Sequence, residues 1–234
     1  MAAPDASPCR ILVMASGFGS NFQALIDATR PPAGELQNCR IVSLVVNRKG
    51  AHAIARADAA AIPWTYRNLI GGGFVRKGEA DERAVADGRR RYDAALAAQI
   101  LAAPAGERPE LVVLAGWMHV FSTAFLKPIE EAGVRIINIH PALPREFDGA
   151  NAIERAFDEF KAGRLTRTGI MAHYVIDEVD RGEPIIVQEV PWEGEELDAF
   201  KEKMHVHEHK LIVEATAKVV REILESRTSQ KPSS

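Results

Sequence analysis

The chain has few of the features that mark secreted, membrane-spanning or nucleic-acid-binding proteins. Its 234 residues include two cysteines, too few and too scattered for a disulfide framework or a metal cluster. No apolar run approaches the roughly eighteen residues that span a bilayer, and residues 1–8 do not resemble a signal peptide. The net charge of −3 gives no basic excess for nucleic acid. We therefore expect a cytoplasmic protein without a membrane or nucleic-acid partner.

Hydrophobic patterning predicts an α/β fold in one domain. With 47% hydrophobic residues the chain can bury a sizeable core, which we place in residues 1–226, followed by a disordered polar tail at 227–234. Apolar runs typical of buried strands occur at 10–15, 40–46, 111–114 and 134–139. Helical patterns occupy 21–28, 51–61, 80–103 and 122–131. This alternation predicts a mostly parallel central sheet with helices on both faces.

The order of elements changes beyond residue 169. Two strand-like runs, 170–176 and 184–190, flank the turn-rich residues 177–182. This arrangement predicts an antiparallel C-terminal extension of the sheet. Residues 195–224 then have the pattern of a long terminal helix.

The glycine-rich segment 16–21 follows the first predicted strand and opens a predicted helix. Backbone N–H groups and the helix dipole would form an anion site there. Phe22 stands where a dinucleotide fingerprint needs a third glycine, and Asn47 where it needs an acidic residue. The lysine of a Walker loop is missing too, so a monophosphate or similarly small anion is favoured. The simpler alternative is a tight turn capped by Ser20.

An apolar strand delivers two polar side chains to one place at residues 136–141. Alternation sends Asn138 and His140 to the same face, while His173 lies in the next predicted strand and Asp180 in the loop beyond it. Such a group suits acyl transfer to an amine: Asn138 would donate to an oxyanion and His140 would carry a proton. Asp180 would orient His140 or raise its pKa. The alternative is a polar pair that satisfies backbone groups beside an ordinary turn aspartate.

Three motifs together resemble the phosphoribosylglycinamide formyltransferase family, in its fungal single-domain form. They are SGFGSN at 16–21, NIHPALP at 138–144 and DEVDRG at 177–182. The resemblance runs from residue 10 to residue 224 and implies the Rossmann-like formyltransferase fold. It also implies transfer of a formyl group from the co-substrate 10-formyltetrahydrofolate to the amine of glycinamide ribonucleotide, in purine (IMP) biosynthesis. No metal or covalent enzyme intermediate would be involved, and Asn138, His140 and Asp180 would be catalytic.

The same resemblance implies two sets of binding residues in a monomer or homodimer. The nucleotide and its phosphate would contact Gly17, Gly19, Ser20, Asn21 and Glu208. The folate would contact Arg89, Met118, His119, Val120, Phe121 and Asp177. Phe18 and His119 depart from the family pattern, because bacterial relatives have a small amide and many relatives have an arginine at these positions.

Two other functions share these features. Another formyl-folate enzyme, such as formyltetrahydrofolate deformylase or methionyl-tRNA formyltransferase, could use the same three catalytic residues, although each usually carries a further domain. A catalytically inactive folate- or nucleotide-binding module would bind without turnover. His205, His207 and His209 suggest a metal site, but on a helix they would point apart, so we predict no metal.

Overall fold

The computed structural model describes residues 7–30 and 34–229. Within this part of the chain there are seven strands and six helices. The strands are β1 (Cys9–Ala15), β2 (Cys39–Val46), β3 (Trp64–Tyr66), β4 (Leu111–Leu114), β5 (Arg135–His140), β6 (Arg167–Tyr174) and β7 (Pro184–Pro191). The helices are α1 (Ser20–Ala28), α2 (Ala53–Ala59), α3 (Glu82–Leu101), α4 (Thr123–Glu131), α5 (Ala152–Lys161) and α6 (Leu197–Ser229).

The strands form a single sheet in the order β3-β2-β1-β4-β5-β6-β7. Strands β1 to β5 pair in parallel, and a helix covers each connection between them, as parallel pairing requires. Strands β6 and β7 run antiparallel to their neighbours. The predicted mostly parallel sheet with an antiparallel C-terminal extension is therefore confirmed.

Two apolar cores lie on opposite faces of the sheet. In β1, Ile11 and Val13 join a core formed with α1, α2, α5 and α6. Leu12 and Met14 point the other way, into a core formed with α3 and α4. Strict alternation along buried parallel strands explains why these segments read as continuous apolar runs in the sequence.

The structure differs from the predicted elements in three places. Strand β3 and helix α5 were not predicted, and α6 continues to Ser229, so residues 227–229, expected to begin a polar tail, are helical. Arg227 explains the extension, because its Nε donates to Glu110 Oε1 at 2.9 Å and ties the end of α6 to the residue before β4. Residues 1–6 and 230–234 lie outside the described residues. Among the helices described, none is both long and apolar enough to cross a membrane.

Candidate active site

Two loops meet at the carboxyl end of the sheet, where the strand order reverses between β1 and β4. The β1 loop is residues 16–19 and the β4 loop is residues 115–122. The Ser16 N–H donates to the Gly116 carbonyl at 3.0 Å, and the Ser16 hydroxyl accepts from the Met118 N–H at 2.8 Å. A crevice at such a reversal is where open α/β sheets bind their ligands.

The β1 loop presents an uncapped helix start. Gly19 precedes α1 with a left-handed backbone, φ 76°, and a Cβ there would lie 2.8 Å from the Cβ of Ala53. Both backbone conformation and space therefore require glycine at this position. Ser20 is the first helical residue and no side chain caps the helix, so the alternative of a turn capped by Ser20 is wrong. The Gly17 carbonyl accepts from the Ala53 N–H at 3.3 Å, which fixes the loop against α2.

Polar and cationic groups surround this helix start. Asn21 lines the adjoining cavity, and its Oδ1 is buried without a hydrogen-bond partner in the described part of the chain. A buried acceptor of this kind is normally satisfied, so Asn21 is a candidate ligand contact. Phe18 is exposed and stacks on His52 at 4.9 Å. The Arg56 guanidinium lies 4.7 Å from the Phe18 ring and donates to the Phe18 carbonyl, which keeps a positive charge beside the loop.

The three predicted catalytic residues lie together at the carboxyl end of β5. Asn138 and His140 share one face, while Ile137 and Ile139 are buried in the core on the other. The Asn138 Nδ2 donates to Asp180 Oδ1 at 3.3 Å, and His140 Nδ1 lies 3.4 Å from Asp180 Oδ2. The structure thus brings an amide, an imidazole and a carboxylate into one cluster, as the sequence pattern predicted; their roles stay predictions.

Backbone contacts hold Asp180 in this cluster. Its own backbone is left-handed, with φ 55°, and the Gly149 N–H donates to its Oδ2 at 2.8 Å. Gly182 passes so close to β6 that a Cβ would lie 1.6 Å from the Tyr174 carbonyl oxygen. Only glycine fits there, so the DEVDRG turn depends on Gly182 for its path.

His173 is a fourth member that the sequence brought near the cluster but did not assign to the site. It pairs directly with Asn138 across β5 and β6. Its Nε2 lies 3.3 Å from Asn138 Nδ2 and 3.4 Å from Asp180 Oδ1. Its Nδ1 lies 2.8 Å from the Tyr174 carbonyl and therefore carries a proton, since a carbonyl can only accept. The antiparallel register between β5 and β6, which only the tertiary structure shows, places His173 beside Asn138.

The surroundings of the two titratable catalytic candidates pull their pKa values down. Burial lowers the pKa of His140, and the opposing effect of Asp180 does not overcome it, while His173 lowers it further. Burial alone would raise the pKa of Asp180, but hydrogen bonds from His173 and the Gly149 N–H outweigh it and the pKa is lowered. Asp180 thus raises the pKa of His140 as predicted, but burial has the larger effect and leaves that pKa below its ordinary value.

The proton position on a neutral His140 ring decides which nitrogen can react. A proton on Nδ1, the nitrogen that lies 3.4 Å from Asp180 Oδ2, would leave the lone pair on Nε2. Nε2 is buried without a hydrogen-bond partner within the described residues. An imidazole nitrogen of this kind can accept a proton from a bound substrate.

A cavity of about 360 Å³ connects the cluster with the loops around it. Met118 and Val120 of the β4 loop expose apolar side chains there, and Asp177 and Val179 line it as well. Apolar walls with a few convergent polar groups are typical of small-molecule sites. All but one of the residues predicted to contact folate line this cavity: Met118, His119, Val120, Phe121 and Asp177.

Arg89 is the exception among the predicted folate contacts. It lies on α3, is not among the cavity-lining residues, and donates to the Val120 carbonyl at 3.3 Å. Arg89 therefore contacts the backbone of a cavity-lining residue without lining the cavity itself.

Glu208 lies on α6 and lines the same cavity, as the resemblance predicted for a nucleotide contact. Burial raises its pKa to about 7. His205 Nε2 is 3.9 Å from its Oε2, whereas His207 contacts Gln188 and neither His207 nor His209 lines the cavity. The three histidines therefore point apart along the helix. Across residues 7–30 and 34–229, no group of three or more His, Cys, Asp or Glu side chains could hold a metal ion.

The crevice, the uncapped helix start and the cluster of amide, imidazole and carboxylate groups together are typical of a small-molecule site in an α/β protein. Residues 9–216 match the family model described as formyl transferase, so the chain belongs to the formyl transferase family. It is 43% identical over 212 residues to phosphoribosylglycinamide formyltransferase of Schizosaccharomyces pombe, an alignment that covers 90% of the chain and 96% of the relative. The Saccharomyces cerevisiae protein of the same name is 39% identical over 222 residues, covering 92% and 98%.

Solved structures agree with these sequence comparisons. The crystal structure of glycinamide ribonucleotide transformylase 1 from Geobacillus kaustophilus aligns with a TM-score of 0.72 and 31% identity, covering 91% of this chain and 99% of that one. The corresponding enzyme from Symbiobacterium toebii aligns with a TM-score of 0.73 and 27% identity, covering 92% and 89%.

Proposed function

We propose that this chain transfers the formyl group of 10-formyltetrahydrofolate to the amine of glycinamide ribonucleotide in purine biosynthesis. The observation that carries the proposal is the cluster of Asn138, His140 and Asp180 on the wall of a cavity that Asn21 and the apolar β4 loop also line. The names and high coverage of the fungal relatives support the same activity. Formyl-folate serves as a co-substrate, and the reaction takes place in the cytoplasm.

The cavity offers different chemistry to the two substrates. The uncapped N–H groups of α1 suit the ribonucleotide phosphate, because the helix dipole favours an anion there. Glu208 is then placed to accept hydrogen bonds from the ribose or the glycinamide portion. Met118 and Val120 provide an apolar wall for the pterin, and the reacting atoms meet beside Asn138.

In the proposed mechanism the substrate amine attacks the formyl carbon directly. The carbon–oxygen double bond becomes an oxyanion, to which the Asn138 Nδ2 donates a hydrogen bond. The His140 Nε2 takes a proton from the attacking nitrogen. The resulting imidazolium is stabilised by Asp180, so the carboxylate acts on the charged form that arises during the reaction.

Collapse of the tetrahedral intermediate completes the transfer. The bond between the formyl carbon and the folate nitrogen breaks, and the imidazolium of His140 returns its proton to that nitrogen. The products are formylated glycinamide ribonucleotide and tetrahydrofolate. His140 thus accepts and then donates one proton, and ends each cycle neutral.

A spectrophotometric assay with both substrates tests the proposal. The wild-type protein should form tetrahydrofolate only when glycinamide ribonucleotide is present. The variant His140→Gln should lose about 10²- to 10⁴-fold in kcat, the range expected for a general acid–base group, while its affinity for the nucleotide changes little. His207→Gln removes a histidine that does not line the cavity and is the matched control.

Each alternative function has its own outcome in this assay. Tetrahydrofolate and formate formed without the nucleotide would identify a deformylase. Binding of both substrates with no turnover would identify an inactive binding module. Either result, or full activity in His140→Gln, would overturn the proposed mechanism.

A further inference from the structure

The β4 loop forms the apolar wall of the cavity but has no regular secondary structure of its own. Residues 117–122 belong to no helix or strand, yet they expose Met118 and Val120 to the cavity. A segment of this kind keeps its shape only through contacts with neighbouring elements. What holds it therefore also sets the position of the cavity wall.

One carboxylate on α3 receives three donors from this loop. Asp93 is 1% exposed. Its Oδ1 lies 2.6 Å from His119 Nε2, and its Oδ2 accepts from both the N–H and the hydroxyl of Ser122, each at 2.7 Å. The carboxylate thus holds the loop at two positions on either side of Val120.

The side chains of His119 and Ser122 both contact Asp93. The His119 ring is only 8% exposed and meets the rings of Tyr92 and Phe121 edge-on, at 5.1 and 5.4 Å. Ser122 occupies the N-cap of α4, yet its side chain makes no capping hydrogen bond, because the hydroxyl points to Asp93 instead. Both side chains therefore contribute to holding the loop on α3.

We propose that Asp93 is a positioning residue for the folate side of the cavity, acting through His119 and Ser122, neither of whose side chains contacts the folate. This inference rests on the proposed function, since it assigns the β4 loop wall to the formyl donor. Loss of the carboxylate would let the wall formed by Met118 and Val120 move. Binding of the formyl donor would weaken, whereas the nucleotide end of the cavity, at α1, would keep its geometry.

The test compares Asp93→Asn with wild type in the two-substrate assay. An amide side chain at this position cannot accept three donors as the carboxylate does, so we expect KM for 10-formyltetrahydrofolate to rise about ten-fold or more. The KM for glycinamide ribonucleotide and kcat at saturating folate should stay within about three-fold. Asp87→Asn, on the exposed side of the same helix, should change none of these values.

A double-mutant cycle separates positioning from direct contact. If Asp93 acts through His119, then Asp93→Asn should raise the folate KM much less in a His119→Phe background than in wild type. Equal effects in both backgrounds would overturn the inference, as would an equal rise in both KM values or no rise at all. Nucleotide binding by calorimetry shows whether each variant is folded. Inactivity of the wild-type protein would instead refute the proposed function.

Discussion

Replacing Glu208 with glutamine should stabilise the protein at neutral and basic pH, but not at pH 4.5. Glu208 lies 7% exposed on α6, and burial raises its pKa to about 7 from an ordinary 4.5. Because the pKa is higher in the folded state, the folded chain holds this proton over a pH range in which the unfolded chain has lost it. The free energy of unfolding therefore falls as pH rises from 4.5 to about 7, and above that the penalty is complete.

The size of the effect follows from the two pKa values. At about 1.4 kcal/mol per pKa unit, the difference between 4.5 and about 7 corresponds to roughly 3 kcal/mol of lost stability at pH 8. Glutamine cannot ionise, so Glu208→Gln should recover up to that amount at pH 8 relative to its effect at pH 4.5. For a chain of this length the melting temperature would rise by roughly 6–12 °C.

Urea unfolding at pH 4.5, 6 and 8 measures the effect without any substrate. The quantity of interest is the difference in unfolding free energy between Glu208→Gln and wild type, which should grow with pH. All other titrating groups are shared by the two proteins and cancel in this comparison. Glu202→Gln, an exposed position on the same helix, is the matched control and should give only a small difference. A difference for Glu208→Gln that is equal at all three pH values would refute the reasoning.

Three further predictions concern the β1 loop, the catalytic cluster and the end of α6. Gly19→Ala should cost about 1–3 kcal/mol in stability or nucleotide affinity, because the Gly19 φ is 76° and an added Cβ would lie 2.8 Å from the Ala53 Cβ. Calorimetry measures both quantities, and unchanged binding and stability would contradict the prediction. In the pH profile of kcat/KM the acid limb should lie below pH 6.5, because burial lowers the pKa of His140 and the neutral ring is the reactive form. Asp180→Asn removes the group that raises this pKa, so it should lower kcat and move the acid limb to still lower pH. A shift of the limb to higher pH would contradict the reasoning. Arg227→Met should lower the free energy of unfolding, measured in urea, by about 1–3 kcal/mol, because it removes this partner from the partly buried carboxylate of Glu110. The control Arg30→Met breaks an exposed ion pair and should leave the free energy of unfolding unchanged.

Local sequence patterns were sufficient for most of the sheet. Strand β4 has the predicted bounds, and β1, β2 and β5 begin or end within one residue of them. Strands buried on both faces leave continuous apolar runs, which are visible without any tertiary information. By contrast β3 has three residues and no buried side chain, so it leaves no periodic signal. Helix α5 does carry apolar residues at helical spacing, and that pattern would have predicted it.

Some features of the candidate site follow from local sequence, and others depend on tertiary contacts. Period-two alternation placed Asn138 and His140 on one face of β5, and the glycines of the β1 loop indicated an anion site, because both are properties of a few consecutive residues. The meeting of Asn138 with His173 depends on the register between β5 and β6, which connects residues far apart in sequence.

Charge states and supporting contacts were decided only by the tertiary structure. Burial lowers the pKa of His140 although Asp180 raises it, and the balance between desolvation and attraction cannot be read from residue types. Arg227 anchors the last turn of α6 by pairing with Glu110, and Asp93 on α3 contacts the β4 loop, although both pairs are far apart in sequence. The sequence by itself therefore determined six of the seven described strands, the fold class and the chemical groups of the site. The tertiary structure decided their protonation, because desolvation exists only once distant segments bury one another.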